Sequence, residues 1–241
     1  MAKWGAAGVG VGIAAYGAYA GAAWLRYGHR ERATGGAADP ELDRFMPRYD
    51  VVERHHIAVE APAALTFAAA CEIEVLRSSV ARAIFKGREL LLGGTPDTVE
   101  RPREFIALAK SLGWGVLAET PGRAIVMGAA TQPWKADVVF RPLPPAAFAE
   151  FVEPDTVKIA WTLRADPAGS DASIFRTETR AIATDRAARM KFRRYWSLLS
   201  PGIILIRRAM LGPVRDEAER RARMAARMAA AGFDTVPLAS R

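Results

Sequence analysis

"RTETRAIATDRAARMKFRRYWSLLSPGIILIRRAML", Arg176 to Leu211, changes period part-way along. Up to Thr184 its residues alternate as in a strand, with Thr177 and Thr179 on one face and Arg176, Glu178 and Arg180 on the other. Asp185 is a natural N-cap, and beyond it the spacing becomes helical. Met190, Phe192, Tyr195, Trp196 and Leu199 form a broad apolar-aromatic band flanked by Arg186, Arg189, Arg193 and Arg194. A strand thus hands over directly to a helix whose aromatic band needs a surface to cover. Pro201-Gly202 is expected to kink or break this helix, and Gly212-Pro213 punctuates it again. A last, very basic helix is expected to end at Gly232.

The partner surface is expected upstream. "TVKIAWTLRADPAGSDASIFRTETRAIAT" reads as a long hairpin turning around Asp166 to Asp171, with Val157, Ile159, Trp161 and Leu163 on one face of its first arm. "WGVLAETPGRAIVMGAAT" reads as a hairpin turning at Pro121-Gly122, and "WKADVVFRPL" as a further strand. The Pro-rich "PLPPAAFAEF" reads as a short helical connection. Before these comes "YDVVERHHIAVEA", an extended run ended by Pro62. Helical patterns then follow in 62–75, in 76–94 up to a Gly-Gly stop, and in 101–113. The order strand, helices, antiparallel strands, long helix predicts an α+β fold in which a curved antiparallel sheet wraps around the C-terminal helix.

At 241 residues and 51% hydrophobic composition the chain can bury a sizeable core. Its one cysteine, Cys71, makes no intramolecular disulfide. Cations and carboxylates balance up to Thr184, so the whole net charge of +8 arises after it. Arginine density alone would suit nucleic acid, but no reader motif accompanies it, and nucleic-acid binding is not the reading adopted. Anionic headgroups near a membrane explain the basic tail with fewer assumptions.

The other end is apolar. "WGAAGVGVGIAAYGAYAGAAWL", Trp4 to Leu25, carries no charge, and as a helix it reaches about 33 Å, enough to cross a bilayer. Trp4, Trp24 and Tyr27 sit where interfacial aromatics belong, and Arg26, Arg30 and Arg32 follow directly. An uncleaved single-pass anchor with the domain on the cytoplasmic side is the expectation. Ala18-Tyr19-Ala20 offers the alternative of signal cleavage and export. The resulting organisation is an anchor over 1–26, a charged linker over 27–48, a folded domain over 49–232 and a tail over 233–241.

These features resemble the START-like superfamily, also called SRPBCC or helix-grip, over roughly Tyr49 to Ala230. The resemblance is carried by "YDVVERHHIAVEAPAALTFAAA" and by the opening stretch, and is greater to an uncharacterised bacterial branch than to any enzymatic one. Members include the birch-pollen allergen, START lipid-transfer domains and the polyketide aromatase/cyclases. The resemblance implies a cavity between sheet and C-terminal helix for a small, largely apolar molecule or lipid. It supplies no catalytic residue, because the superfamily shares no universal motif.

The residues add little chemistry of their own. His55 and His56 are adjacent, so on a strand they point to opposite faces and cannot ligate one metal; neither metal nor organic cofactor is expected. Trp134, Trp161, Phe175, Thr177, Glu178 and Trp196 are the candidate ligand-lining residues. Glu178 lines the cavity only if its strand face is the concave one; otherwise it belongs to a solvated ladder. The function these readings favour is a membrane-tethered binding or transfer protein for a hydrophobic small molecule. The alternatives are a cyclase/aromatase-type enzyme with a positioned Glu or Arg, and an interaction module whose cavity is filled by side chains.

Overall fold

The computed structural model describes residues 2–29, 33–74, 93 and 101–231, with side chains of the first helix from Ala14 on. Six strands form one antiparallel, curved sheet. They are β1 (Val51–Val59), β2 (Gly115–Thr120), β3 (Ala124–Thr131), β4 (Phe140–Arg141), β5 (Val157–Pro167) and β6 (Ser173–Ala183), in the order β1-β6-β5-β3-β2 with β4 on β3. The helices are α1 (Ala2–Arg26), α2 (Pro40–Phe45), α3 (Ala63–Glu72), α4 (Phe105–Ser111), α5 (Pro145–Glu150) and α6 (Arg186–Ala230). The helix expected over 76–94 lies outside the described residues.

The period-two stretches are strands, as their alternation predicts, but "WKADVVFRPL" contributes only the two residues of β4. β5 and β6 pair along their whole length, which puts Trp161 opposite Thr179 and Leu163 opposite Thr177. At the β6–α6 junction the Asp185 carboxylate accepts from Ala188 N at 2.7 Å and from Asp155 N at 2.6 Å. These bonds hold its pKa below the usual carboxylate range.

α6 runs unbroken for 45 residues through Pro201 and Pro213. Each proline removes one intrahelical donor, yet packing at both ends holds the helix in line. Its N-terminal part inserts Phe192 and Trp196 among Tyr27, Val51, Val157 and Ala181, with Tyr195 and Trp134 at the margin. Its C-terminal part inserts Val214 and Ala218 into a second core with Phe67, Met127, Trp161, Leu163 and Phe175. The aromatic band therefore faces the sheet.

The stretch 27–48 is more structured than a linker. Asp39 caps α2 by accepting from Leu42 N at 3.1 Å, and Leu42, Phe45 and Met46 are buried on the convex face of the sheet with Val126, Phe148 and Ala160. Tyr27 is buried against Asp50. This polar-looking segment folds because the convex face carries enough apolar surface to bury three large side chains.

α1 packs along α6. The Tyr16 hydroxyl donates to the Leu198 carbonyl, Tyr19 Oη lies 3.0 Å from Ser200 Oγ, and Arg193 donates twice to the Trp24 carbonyl. Among the described residues, α6 is long and apolar enough to cross a membrane, and 17% of its apolar stretch is buried.

Candidate functional site

Strand parity and register decide which residues face α6. On β1 they are Val51, Glu53, His55, Ile57 and Val59; on β6 they are Ser173, Phe175, Thr177, Thr179 and Ala181. The ends of these rows belong to the two apolar cores. The middle does not: the cross-strand pairs Glu53–Thr179 and His55–Thr177 form a polar band across the concave face.

Arg207 of α6 comes down onto this band, with Nη1 3.5 Å from Thr177 Oγ1. Burial draws its pKa down to about 10, partly offset by the Glu53 carboxylate. The His55 side chain is 8% exposed, and its Nε2 lies 3.9 Å from Glu53 Oε2, beyond hydrogen-bond reach. Burial first, then Arg207, Arg208 and His56, lowers the His55 pKa to about 4, so the imidazole is neutral near pH 7. Among the described residues, Arg207 Nε, His55 Nε2 and Thr179 Oγ1 are buried without a hydrogen-bond partner. Each such atom costs about 1–3 kcal/mol unless something accepts or donates there. One or two acceptor oxygens placed against this band would satisfy Arg207 and Thr179, with His55 as a neutral donor beside them.

The expected lining residues do not form a single site. Trp161 and Phe175 belong to the α3-side core, where Trp161 stacks on Phe105 with ring centroids 5.3 Å apart. Trp134 and Trp196 belong to the opposite core, and Lys191 Nζ sits 5.6 Å over the Trp134 ring. Thr177 lies in the polar band between the two cores.

Glu178 points the other way, to the convex face, yet it is not part of a solvated ladder. It is buried under α2 and the 46–49 turn, accepting from Arg180 Nε at 2.7 Å and pairing with Arg54 Nε at 3.0 Å. Arg180 in turn reaches Asp43 at 2.5 Å and the Met46 carbonyl at 2.8 Å, beneath the Tyr49 ring. This network fastens α2 to the sheet. A cleft beside it, bounded by Asp39, Arg54, His56, Arg164 and Arg176, holds only about 70 Å³. That is small against the roughly 300 Å³ of a drug-sized site. Its arginines are paired with Glu178 and Asp166.

Sequence reasoning missed Glu53, His55, Thr179 and Arg207. The available signal was the period-two row Val51, Glu53, His55, Ile57, Val59, in which two polar residues interrupt an apolar face. Among the described residues no group of three or more His, Cys, Asp or Glu side chains could hold a metal ion.

The curved antiparallel sheet laid against a long C-terminal helix is the α+β arrangement expected from the order of elements in the sequence. Similar solved structures include a norcoclaurine synthase point mutant from Thalictrum flavum in complex with a transition-state analogue. It is 14% identical, with 71% of this chain and 95% of that one covered and a TM-score of 0.32. A hypothetical protein from Helicobacter pylori is 7% identical, with 80% and 99% covered and a TM-score of 0.35. An aromatase/cyclase from Streptomyces sp. R1128 is 16% identical, with 73% and 97% covered and a TM-score of 0.23. No family model and no curated protein sequence matches the chain. At TM-scores this low the neighbours carry no argument about substrate or site, which rest on the geometry alone.

Proposed function

We propose that this chain binds, and passes on, a small hydrophobic molecule or lipid held between the sheet and α6. The observation carrying this reading is the trio of partnerless buried atoms, Arg207 Nε, His55 Nε2 and Thr179 Oγ1, set between two apolar cores. An apolar body packed beside the cores and an oxygen-bearing head against Arg207 fit that pattern. The reading includes α1 as a membrane anchor with the domain on the cytoplasmic side, supported by the uncharged run from Trp4 to Leu25 and the arginines after it. It requires no metal or organic cofactor.

A cyclase-type reaction in the same groove would have to use Glu53, His55 or Arg207, since Glu178 lies on the opposite face. Native mass spectrometry of the full chain, released from membranes in mild detergent, tests the binding reading. A recurrent co-purifying species with an acidic or carbonyl head, lost in Arg207→Met, is the expected result. Repeated recovery of an empty chain from lipid-rich extracts would overturn it.

A further inference from the structure

The stretch of α6 that carries Arg207 exposes two leucines on its outward side. Leu198 and Leu205 are 53% and 51% exposed and stand seven residues apart, two turns along one face. Exposed Arg194 and Arg208 bracket them, roughly 21 Å apart along the helix at ~1.5 Å per residue. α1 meets α6 at this level through Tyr16 and Tyr19, and adds exposed Tyr16, Tyr19 and Leu25 to the same region. A core helix would hide both leucines; here Leu198 and Leu205 are exposed on one face, with most of their neighbours half-buried.

We infer that the Leu198–Leu205 face of α6 is a membrane-docking surface that beds into the interfacial layer of an anionic bilayer. This surface is distinct from a membrane crossing by α1, although Tyr16 and Tyr19 of α1 border it. α6 lies along the membrane rather than through it, because Phe192 and Trp196 at one end and Val214 and Ala218 at the other are locked in the protein core. Leucines between arginines are the pattern of an in-plane helix, with the guanidinium groups rising to the headgroups while the apolar side chains sink. The charge matches an anionic surface: Arg194 and Arg208 are exposed on the same side as the leucines, and the whole net positive charge lies beyond Thr184. Leu205, Arg207 and Arg208 occupy one turn, so lipid contact outside and the polar band inside are two sides of the same helix segment.

The test uses the full chain in a Cys71→Ala background, with an environment-sensitive fluorophore on Leu198→Cys, Leu205→Cys or Met228→Cys. Met228 is exposed near the far end of α6 and serves as the control. On phosphatidylglycerol-containing vesicles, labels at 198 and 205 are expected to brighten several-fold and to be quenched by lipids carrying a nitroxide near the headgroup. The label at 228 is expected to do neither. If all three behave alike while the chain still sediments with vesicles, the docking surface is overturned and α1 remains as anchor. An equal response on purely zwitterionic vesicles overturns the claim of an anionic partner. Brightening that follows protein concentration without lipid overturns it in favour of a second copy of the chain. Both leucines are exposed, so labelling them leaves the fold intact.

Discussion

His55 gives the buried band a pH signature. Its neutral form is enforced by burial and by Arg207 and Arg208 of α6, with His56 of its own strand adding to them and Glu53 too distant to pair. The unfolded chain takes up this proton near pH 6.5, whereas the native chain resists until about 4. Between those values the unfolded state binds more protons, so stability is complete above about pH 6.5 and falls as pH drops toward 4. The full difference is about 3 kcal/mol, and about 2 kcal/mol of it is gone by pH 5. His55→Gln keeps a polar side chain without the titration. His29, His56 and the carboxylates are common to both proteins and cancel in the comparison. Urea unfolding of the full chain in nonionic micelles, followed by tryptophan fluorescence, supplies the measurement. The destabilisation caused by His55→Gln should be about 2 kcal/mol smaller at pH 5.0 than at pH 7.5. A value independent of pH would refute the burial and charge argument for this residue.

Other substitutions separate binding from folding. Arg207→Met should weaken binding of a fluorescent fatty-acid probe by tenfold or more while leaving the empty chain as stable or more so, because an incompletely satisfied buried cation is removed; unchanged affinity with a large loss of stability would mean a purely structural role. Glu178→Gln should cost about 3 kcal/mol in urea unfolding, by stranding part of the Arg180 and Arg54 charge, yet leave probe affinity unchanged. A selective loss of binding in that variant would return Glu178 to the site. Gly128→Ala should cost about 1–3 kcal/mol, since a Cβ there would stand 2.5 Å from Leu117 Cδ1 and 2.9 Å from Phe148 Cε2, both buried. A thermal midpoint equal to wild type would show that this core yields more easily than its packing implies.

The sheet and its helix were legible because the period change at Asp185 is a local signal. Strand alternation and helical spacing are properties of one segment and need no knowledge of its neighbours. The site was not local in that sense. Thr177 and Glu178 are adjacent, so parity alone forbids them a common face, and the register of β1 on β6 decides which of them meets α6. Glu53 and His55 become a band only beside Thr179 and Thr177, and Arg207 joins them only once the helix is known to continue through Pro201. Leu42, Phe45 and Met46 were hidden for a related reason: three apolar residues in a charged run show no periodicity, and their burial depends on what the convex face offers. The unbroken α6 goes against the penalty normally attached to two internal prolines, and tertiary packing at both ends prevails over local propensity.

The segment of α6 between its two cores departs from simple amphipathicity at Arg207 and Leu205, while Ile203 and Leu211 still pack inward and Arg208 faces out. A helix laid on a sheet in water turns leucine inward and arginine outward, as α6 itself does where Phe192 and Val214 are buried. Between Pro201 and Pro213 Arg207 faces the sheet while Leu205 faces out. Stability alone would select the opposite arrangement, because a guanidinium whose Nε is buried without an acceptor and an exposed leucine each cost free energy in water. The proposed oxygen-rich head against the inner side and lipid against the outer would relieve both costs. A chain selected only for folding would place apolar residues at 53, 55 and 207. The polar band in the middle of an otherwise apolar face is the physical feature on which the proposed binding role rests.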